Sequence, residues 1–126
     1  PYTVKLFDEV VEQIDGAIHF SGLSCLVESK DFADKAVDIT PIAKLRNQLL
    51  RRPASTVGLI FSHTGFTNAA VSLAYFSLPQ AILLWDGDEI RYALEQERIC
   101  ELLTLKYRAC VEEGLPDYDV IEEDIE

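Results

Sequence analysis

Methionine is absent from this 126-residue sequence, and cysteine occurs three times, at Cys25, Cys100 and Cys110. An odd number of thiols with no C-x₂₋₄-C pair excludes a disulfide scaffold and a cysteine zinc site, so the three read as reduced core residues. The missing initiator methionine gives the expectation of a domain from a longer chain, whose other domains would be among its partners. Long apolar runs are lacking too. The longest, Val57 to Phe61 and Ala81 to Trp85, are about a quarter of the roughly 20 residues that span a bilayer, so no membrane helix is expected. The opening residues, Pro1 to Lys5, show neither the apolar core nor the cleavage site of a secretory signal, which leaves a cytoplasmic location as the default. Basic residues are scarce: 11 Lys and Arg face 22 Asp and Glu, a formal net charge of -11. That balance speaks against a strongly basic nucleic-acid-binding surface, because phosphate neutralisation needs lysine and arginine. The acids are unevenly spread, however. Residues 112–126 hold eight of the 22 and no base, which leaves 14 acids against 11 bases in the remainder. The expected division is therefore a mildly acidic domain over residues 1–114 and a solvated acidic tail over 115–126.

With 48% hydrophobic and 26% charged residues, the chain has the size and composition of one globular domain with one core. From Tyr2 to Phe32 it is rich in β-branched and aromatic residues, which predicts three strands, near Thr3 to Val11, Gln13 to Phe20 and Leu23 to Asp31. Ser21-Gly22 supplies a tight turn that makes the last two an antiparallel hairpin. From Thr40 to Leu50, a capping hydroxyl, Pro41 at the first helical position and apolar residues at 42, 45 and 49 predict an amphipathic helix that Pro53 ends. Its outer face gathers Lys44, Arg46, Arg51 and Arg52, a cluster that reads first as a solvated face and second as a DNA contact. Val57 to Ser62 and Ala81 to Trp85 are continuous apolar runs of the kind that form strands buried on both faces. A helix from about Asn68 to Phe76, capped by Thr67, separates them, and a long helical pattern from Glu89 to Glu113 stops at Gly114 and Pro116. The order β-β-β-α-β-α-β-α implies an α/β fold, a mixed β-sheet flanked by helices.

The chemistry is concentrated in Glu28-Ser29-Lys30. On a strand, side chains alternate, so Glu28 and Lys30 share a face and Ser29 points away. Asp15, on the strand expected to pair about 5 Å away, brings a second carboxylate. Hydrolysis of a phosphodiester calls for a hard cation that offsets phosphate charge and lowers the pKa of a bound water, and carboxylate oxygens suit Mg²⁺. An ammonium beside them orients or deprotonates the attacking water, or stabilises charge developing on phosphorus. A surface salt bridge is the blander reading of the same spacing. What tilts the balance is the apolar context, Leu26-Val27 before and Phe32 after, in which a buried charge is costly unless paired or metal-bound.

Ile14-Asp15-Gly16, Leu26-Val27-Glu28-Ser29-Lys30, the following helix, Gly58 to Ser62 and Gly65-Phe66-Thr67 together resemble the Mrr-like restriction endonuclease family of the PD-(D/E)XK superfamily. The resemblance covers roughly Glu12 to Ala93, with Ile14 standing where the superfamily's name has proline. It implies a restriction-endonuclease-like core and a magnesium-dependent endodeoxyribonuclease, with Mn²⁺ as a substitute cation. It further implies Asp15, Glu28 and Lys30 as catalytic residues, and Asp15, Glu28 and the Ser29 carbonyl as metal ligands. DNA is the implied substrate and partner, and a homodimer is among the assemblies open to such a domain. A catalytically inactive module for protein binding is the rival function, with Leu94, Leu102, Leu105 and Val111 as its interaction face. Among rival sites, Asp86-Gly87-Asp88 reads more simply as a turn and helix cap than as a metal element. The loop Ser62 to Thr67 lacks the lysine that a nucleotide-phosphate loop would add, and His19 and His63 read as structural hydrogen-bonding residues.

Overall fold

Among the described residues four strands, not three, precede the first helix. The computed structural model describes residues 2–6, 8–20, 22–30 and 35–121. β1 (Tyr2–Leu6) and β2 (Glu9–Ile14) form an antiparallel ribbon of their own. They split the single strand expected near Thr3 to Val11 at Asp8, whose φ of 65° turns the chain. Aspartate is among the few non-glycine residues that tolerate that left-handed conformation. β3 (Gly16–Phe20) and β4 (Leu23–Lys30) make the expected hairpin, with Gly22 at φ 80° in its turn. Ser21 and Asp31, included in the expected turn and strand, lie outside the described residues.

The main sheet has the order β3-β4-β5-β6, with β5 at Val57–Ser62 and β6 at Ile82–Asp86. β3 runs antiparallel to β4, whereas β4, β5 and β6 are mutually parallel. The crossovers are α1 (Ile39–Leu49) and α2 (Asn68–Phe76), and α3 (Gly87–Glu95) and α4 (Ile99–Glu113) follow β6. The result is a mixed sheet flanked by four helices. Alternation along the strands sorts the core into two layers. Leu26, Ile60, Ile82 and Leu84 pack under Ile42, Leu45 and Leu49 of α1 and Ala70 and Ala74 of α2. Cys25, Leu59, Leu83 and Trp85 pack on the other face against Ala93 of α3 and Leu102, Leu103 and Cys110 of α4. Each fully buried large apolar side chain contributes on the order of 1.5–3 kcal/mol. Gly58 permits the tight approach of α1, since a Cβ there would stand 2.8 Å from Leu45 Cδ2.

Several local expectations change. The cap of α1 is Asp38, whose side chain accepts from the Thr40 amide, so Thr40 and Pro41 lie inside the helix. The expected long helix from Glu89 to Glu113 is two helices, because Glu97 takes φ 54° and breaks it. Thr67 caps α2 and Gly114 ends α4 in the left-handed conformation, both as expected. Cys25 and Cys110 are buried free thiols, but Cys100 is exposed. Burial pushes the Cys25 thiol up to about 11, which keeps it protonated and inert. The stretch expected to be a solvated tail from residue 115 begins as packed structure: Val120 is buried, and the Pro116 carbonyl accepts from the Leu84 amide at 2.9 Å on the outer edge of β6. Residues 122–126 lie outside the described residues. No described helix is long and apolar enough to cross a membrane.

Candidate functional site

The parallel strands end in register, Lys30 beside Ser62 and Ser62 beside Asp86. In open α/β sheets this carboxyl end is where loops diverge and leave room for ligands. β4 delivers Glu28 and Lys30 to the face that Leu26 shares with α1, and Ser29 to the opposite face, as strand alternation requires. Glu28 is 1% exposed and Lys30 31%. Their common face is what the Glu-x-Lys spacing led one to expect.

Asp15 is not a strand residue. It occupies the bend between β2 and β3, is exposed, and accepts through Oδ2 from the Ser29 amide at 2.8 Å. The β3–β4 ladder begins at Gly16 opposite Val27, so the Asp15 carboxylate takes over where strand pairing stops. That contact brings it to the peptide between Glu28 and Lys30, although it arrives from a turn and not from a paired strand.

Glu28 has two cations on one oxygen. Lys30 Nζ lies 3.1 Å from Oε1, and Lys44 Nζ, from α1, lies 3.3 Å from the same atom. The other oxygen, Oε2, is buried and has no hydrogen-bond partner. Leaving a buried carboxylate oxygen unserved costs on the order of 1–3 kcal/mol or more, which makes Oε2 the atom of this cluster that calls for a physical explanation. Lys44 was not among the residues singled out for the site. A sequence signal existed, since Pro41, Leu45 and Gln48 are buried on α1 and position 44 falls at the rim of that stripe.

The basic cluster expected on the outer face of α1 is thus not one solvated face, because Arg51 and Arg52 follow the end of the helix at Leu49. Lys44 turns to Glu28, while Arg51 and Arg52 both hold buried Glu12 of β2, the latter at 2.7 Å. Burial acts to raise the Glu12 carboxyl, but hydrogen bonds and charge from the two arginines outweigh it and hold the group below 4.5. These arginines tie the β1–β2 ribbon to the helix, and DNA contact is not their evident task.

Lys30 stands between two cavities. One, of about 630 Å³, opens on the α3 side and is lined by Ser29, Phe61, His63 and Leu94 among others. The second, of about 560 Å³, lies on the α1 side beside Thr40 and Thr67. His63, set aside as structural, therefore borders the site. At the neighbouring strand end, Gly87 allows α3 to begin against the β5–α2 loop: a Cβ there would meet the His63 carbonyl at 2.5 Å.

The types of donor gathered here, two carboxylates and a carbonyl, are those a hard cation prefers. Glu28 Oε2 is unpartnered, Asp15 supplies a second carboxylate and Ser29 a carbonyl, and Mg²⁺ commonly takes one or two carboxylates and keeps its remaining positions for water. Among the described residues no three His, Cys, Asp or Glu side chains gather as ligands, so a denser protein cage is not what this site offers. Comparisons with known protein families, curated proteins and solved structures found no match.

The rival features resolve structurally. Asp86 caps α3: its side chain accepts from the Glu89 amide at 2.9 Å, and its own amide donates to Glu89 Oε1 at 3.2 Å. This capping box accounts for Asp86-Gly87-Asp88 without a metal. His19 pairs with Ser24 on the β3–β4 hairpin. The four residues suggested as an interaction face do not form one, because Leu94 belongs to α3 and Leu102 is buried, while Leu94 and Val111 are 63% and 65% exposed on different helices.

Proposed function

We propose that this chain is a metal-dependent endonuclease domain that hydrolyses DNA phosphodiester bonds on a restriction-endonuclease-like core, as part of a restriction or DNA-maintenance protein. The observation that carries the reading is Glu28: a buried carboxylate at the strand ends, with two ammoniums on one oxygen and nothing on the other. Glu28, Asp15 and the Ser29 carbonyl are the residues that would hold Mg²⁺, or Mn²⁺ in its place. When bound, the ion would supply charge compensation for the phosphate and a lowered pKa for water.

The chain's own groups do the rest. Lys30, partly exposed between the two cavities, is placed to meet a phosphate oxygen and to stabilise negative charge that grows on it. Lys44 shares Glu28 with Lys30, which holds the carboxylate in one rotamer and leaves Lys30 free to turn outward without stranding a buried charge. Two lysines balance two carboxylates, so an added divalent ion leaves the site positive toward a phosphodiester. Asp15 is fixed by the Ser29 amide and so presents its carboxylate in a set direction.

A magnesium titration followed by a cleavage assay on plasmid and linear DNA tests the proposal. Cleavage that requires the metal and disappears in Asp15→Ala and Lys30→Ala, with folding intact by circular dichroism, supports it. A wild-type chain that neither binds Mg²⁺ nor cuts any DNA overturns it in favour of an inactive module.

A further inference from the structure

We infer that the substrate of this site is DNA with an unpaired nucleotide, whose base enters the cavity on the α3 side of Lys30; the inference rests on the nuclease reading above. The cavity, about 630 Å³, falls within the range of small-molecule sites. Its walls are chiefly the apolar side chains of Phe61, Ile90, Leu94 and Ile99, and Ser29, His63, Arg91 and Lys30 are its polar members. Apolar walls that include one aromatic ring, with a few donors beside them, suit the face of a nucleobase and its polar rim. Lys30 belongs to both the cavity and the Glu28 cluster, so a phosphate held at Lys30 would be joined by one sugar to a base lying against Phe61 and Leu94.

Two further observations favour an unpaired base. In a duplex the bases are stacked inside, and only a flipped or single-stranded base can enter such a recess. Duplex binding also draws on many phosphate contacts, and the chain carries 11 basic residues against 22 acids. Two of those bases, Arg51 and Arg52, are committed to Glu12. Stacking against apolar walls needs fewer cations than gripping two backbones. Leu94, 63% exposed beside the cavity, is an apolar side chain that the core does not use.

The test compares cleavage of three end-labelled oligonucleotides in Mg²⁺: a single strand, a full duplex, and the duplex with one bulged nucleotide. The expected result is at least tenfold faster cutting of the single strand, and of the bulged duplex at its bulge, than of the full duplex. Leu94→Trp, which fills the cavity from its exposed side, should bring that ratio toward one, and Leu94→Glu, which adds a repelling charge, should do the same. A full duplex cut as fast as the single strand, or a ratio unmoved by both variants, overturns the inference and leaves the nuclease reading standing. If no DNA is cut, the nuclease reading falls and a binding measurement decides the cavity. Methyl shifts at Ile90 and Ile99 on titration with a five-nucleotide single strand, absent in Leu94→Trp, support the base site, and unmoved methyls overturn it.

Discussion

Two carboxylates are buried in this fold beside lysine, and they are treated in opposite ways. Glu89, at the start of α3, has both oxygens served: Oε1 accepts from the Asp86 amide, and Oε2 accepts from Lys106 Nζ at 2.6 Å and from the Val120 amide at 3.3 Å. Lys106 is itself fully buried, donates to the Tyr118 carbonyl at 2.6 Å, and sits 5.0 Å from the centre of the Trp85 ring. Burial pushes the Glu89 carboxyl up and the Lys106 ammonium down, each against the pull of its partner's charge. Glu28 has partly exposed partners and an unserved oxygen. A closed network fastens elements together, here α3, α4 and the segment after Gly114. The Glu28 cluster leaves a polar atom that the described fold does not itself satisfy.

The sharpest way to break this comparison is to remove one lysine from each pair. Lys106→Met should lower the unfolding free energy in urea by about 3–5 kcal/mol, because it strands Glu89 in the core. Lys30→Met should leave the urea midpoint nearly unchanged, since Lys44 still faces Glu28, yet reduce DNA cleavage by roughly 10²–10³-fold. If Lys30→Met unfolds the domain as Lys106→Met does, the two clusters are the same kind of object and the functional reading of Glu28 fails. Next in size is Gly87→Ala. Its methyl would press on the His63 carbonyl, and backbone cannot yield as a side chain does. A loss of about 1–3 kcal/mol is expected, with reduced cleavage from the displaced loop, read by thermal melting and turnover.

The smallest effect concerns Glu12, a third buried carboxylate. Its pKa in the folded chain lies below the ordinary 4.5, so its contribution to stability is complete above that value and is lost as pH falls through the depressed one. Urea midpoints measured between pH 6 and pH 3 should therefore decline in the acid range. Glu12→Gln should flatten that part of the slope. An unaltered slope in the variant would show that the arginine pair does not set the acid limit.

Much of this was legible in the sequence because it rests on periodicity. The runs at Val57 and Ala81, the helix capped by Thr67 and the Gly114 stop each carry a local signal with a physical cause, and the structure has each of them within a residue or so. The shared face of Glu28 and Lys30 was readable for the same reason. What escaped was decided by tertiary partners or by single backbone angles. Asp8 and Glu97 adopt positive φ without the glycine that would announce it. Asp15 reads as strand by neighbourhood, but becomes a bend because the two ribbons part there. Lys44, Arg51 and Arg52 look alike on a helical wheel, and only the positions of Glu28 and Glu12 tell them apart.

The hydrogen bond from the Leu84 amide to the Pro116 carbonyl has a practical bearing on how the domain is prepared. An unshielded rim strand recruits other chains. A recombinant fragment that stops at Gly114 would strip β6 of this guard and uncover the layer around Val120, so it should precipitate or form fibrils where the chain through Ile121 stays dispersed.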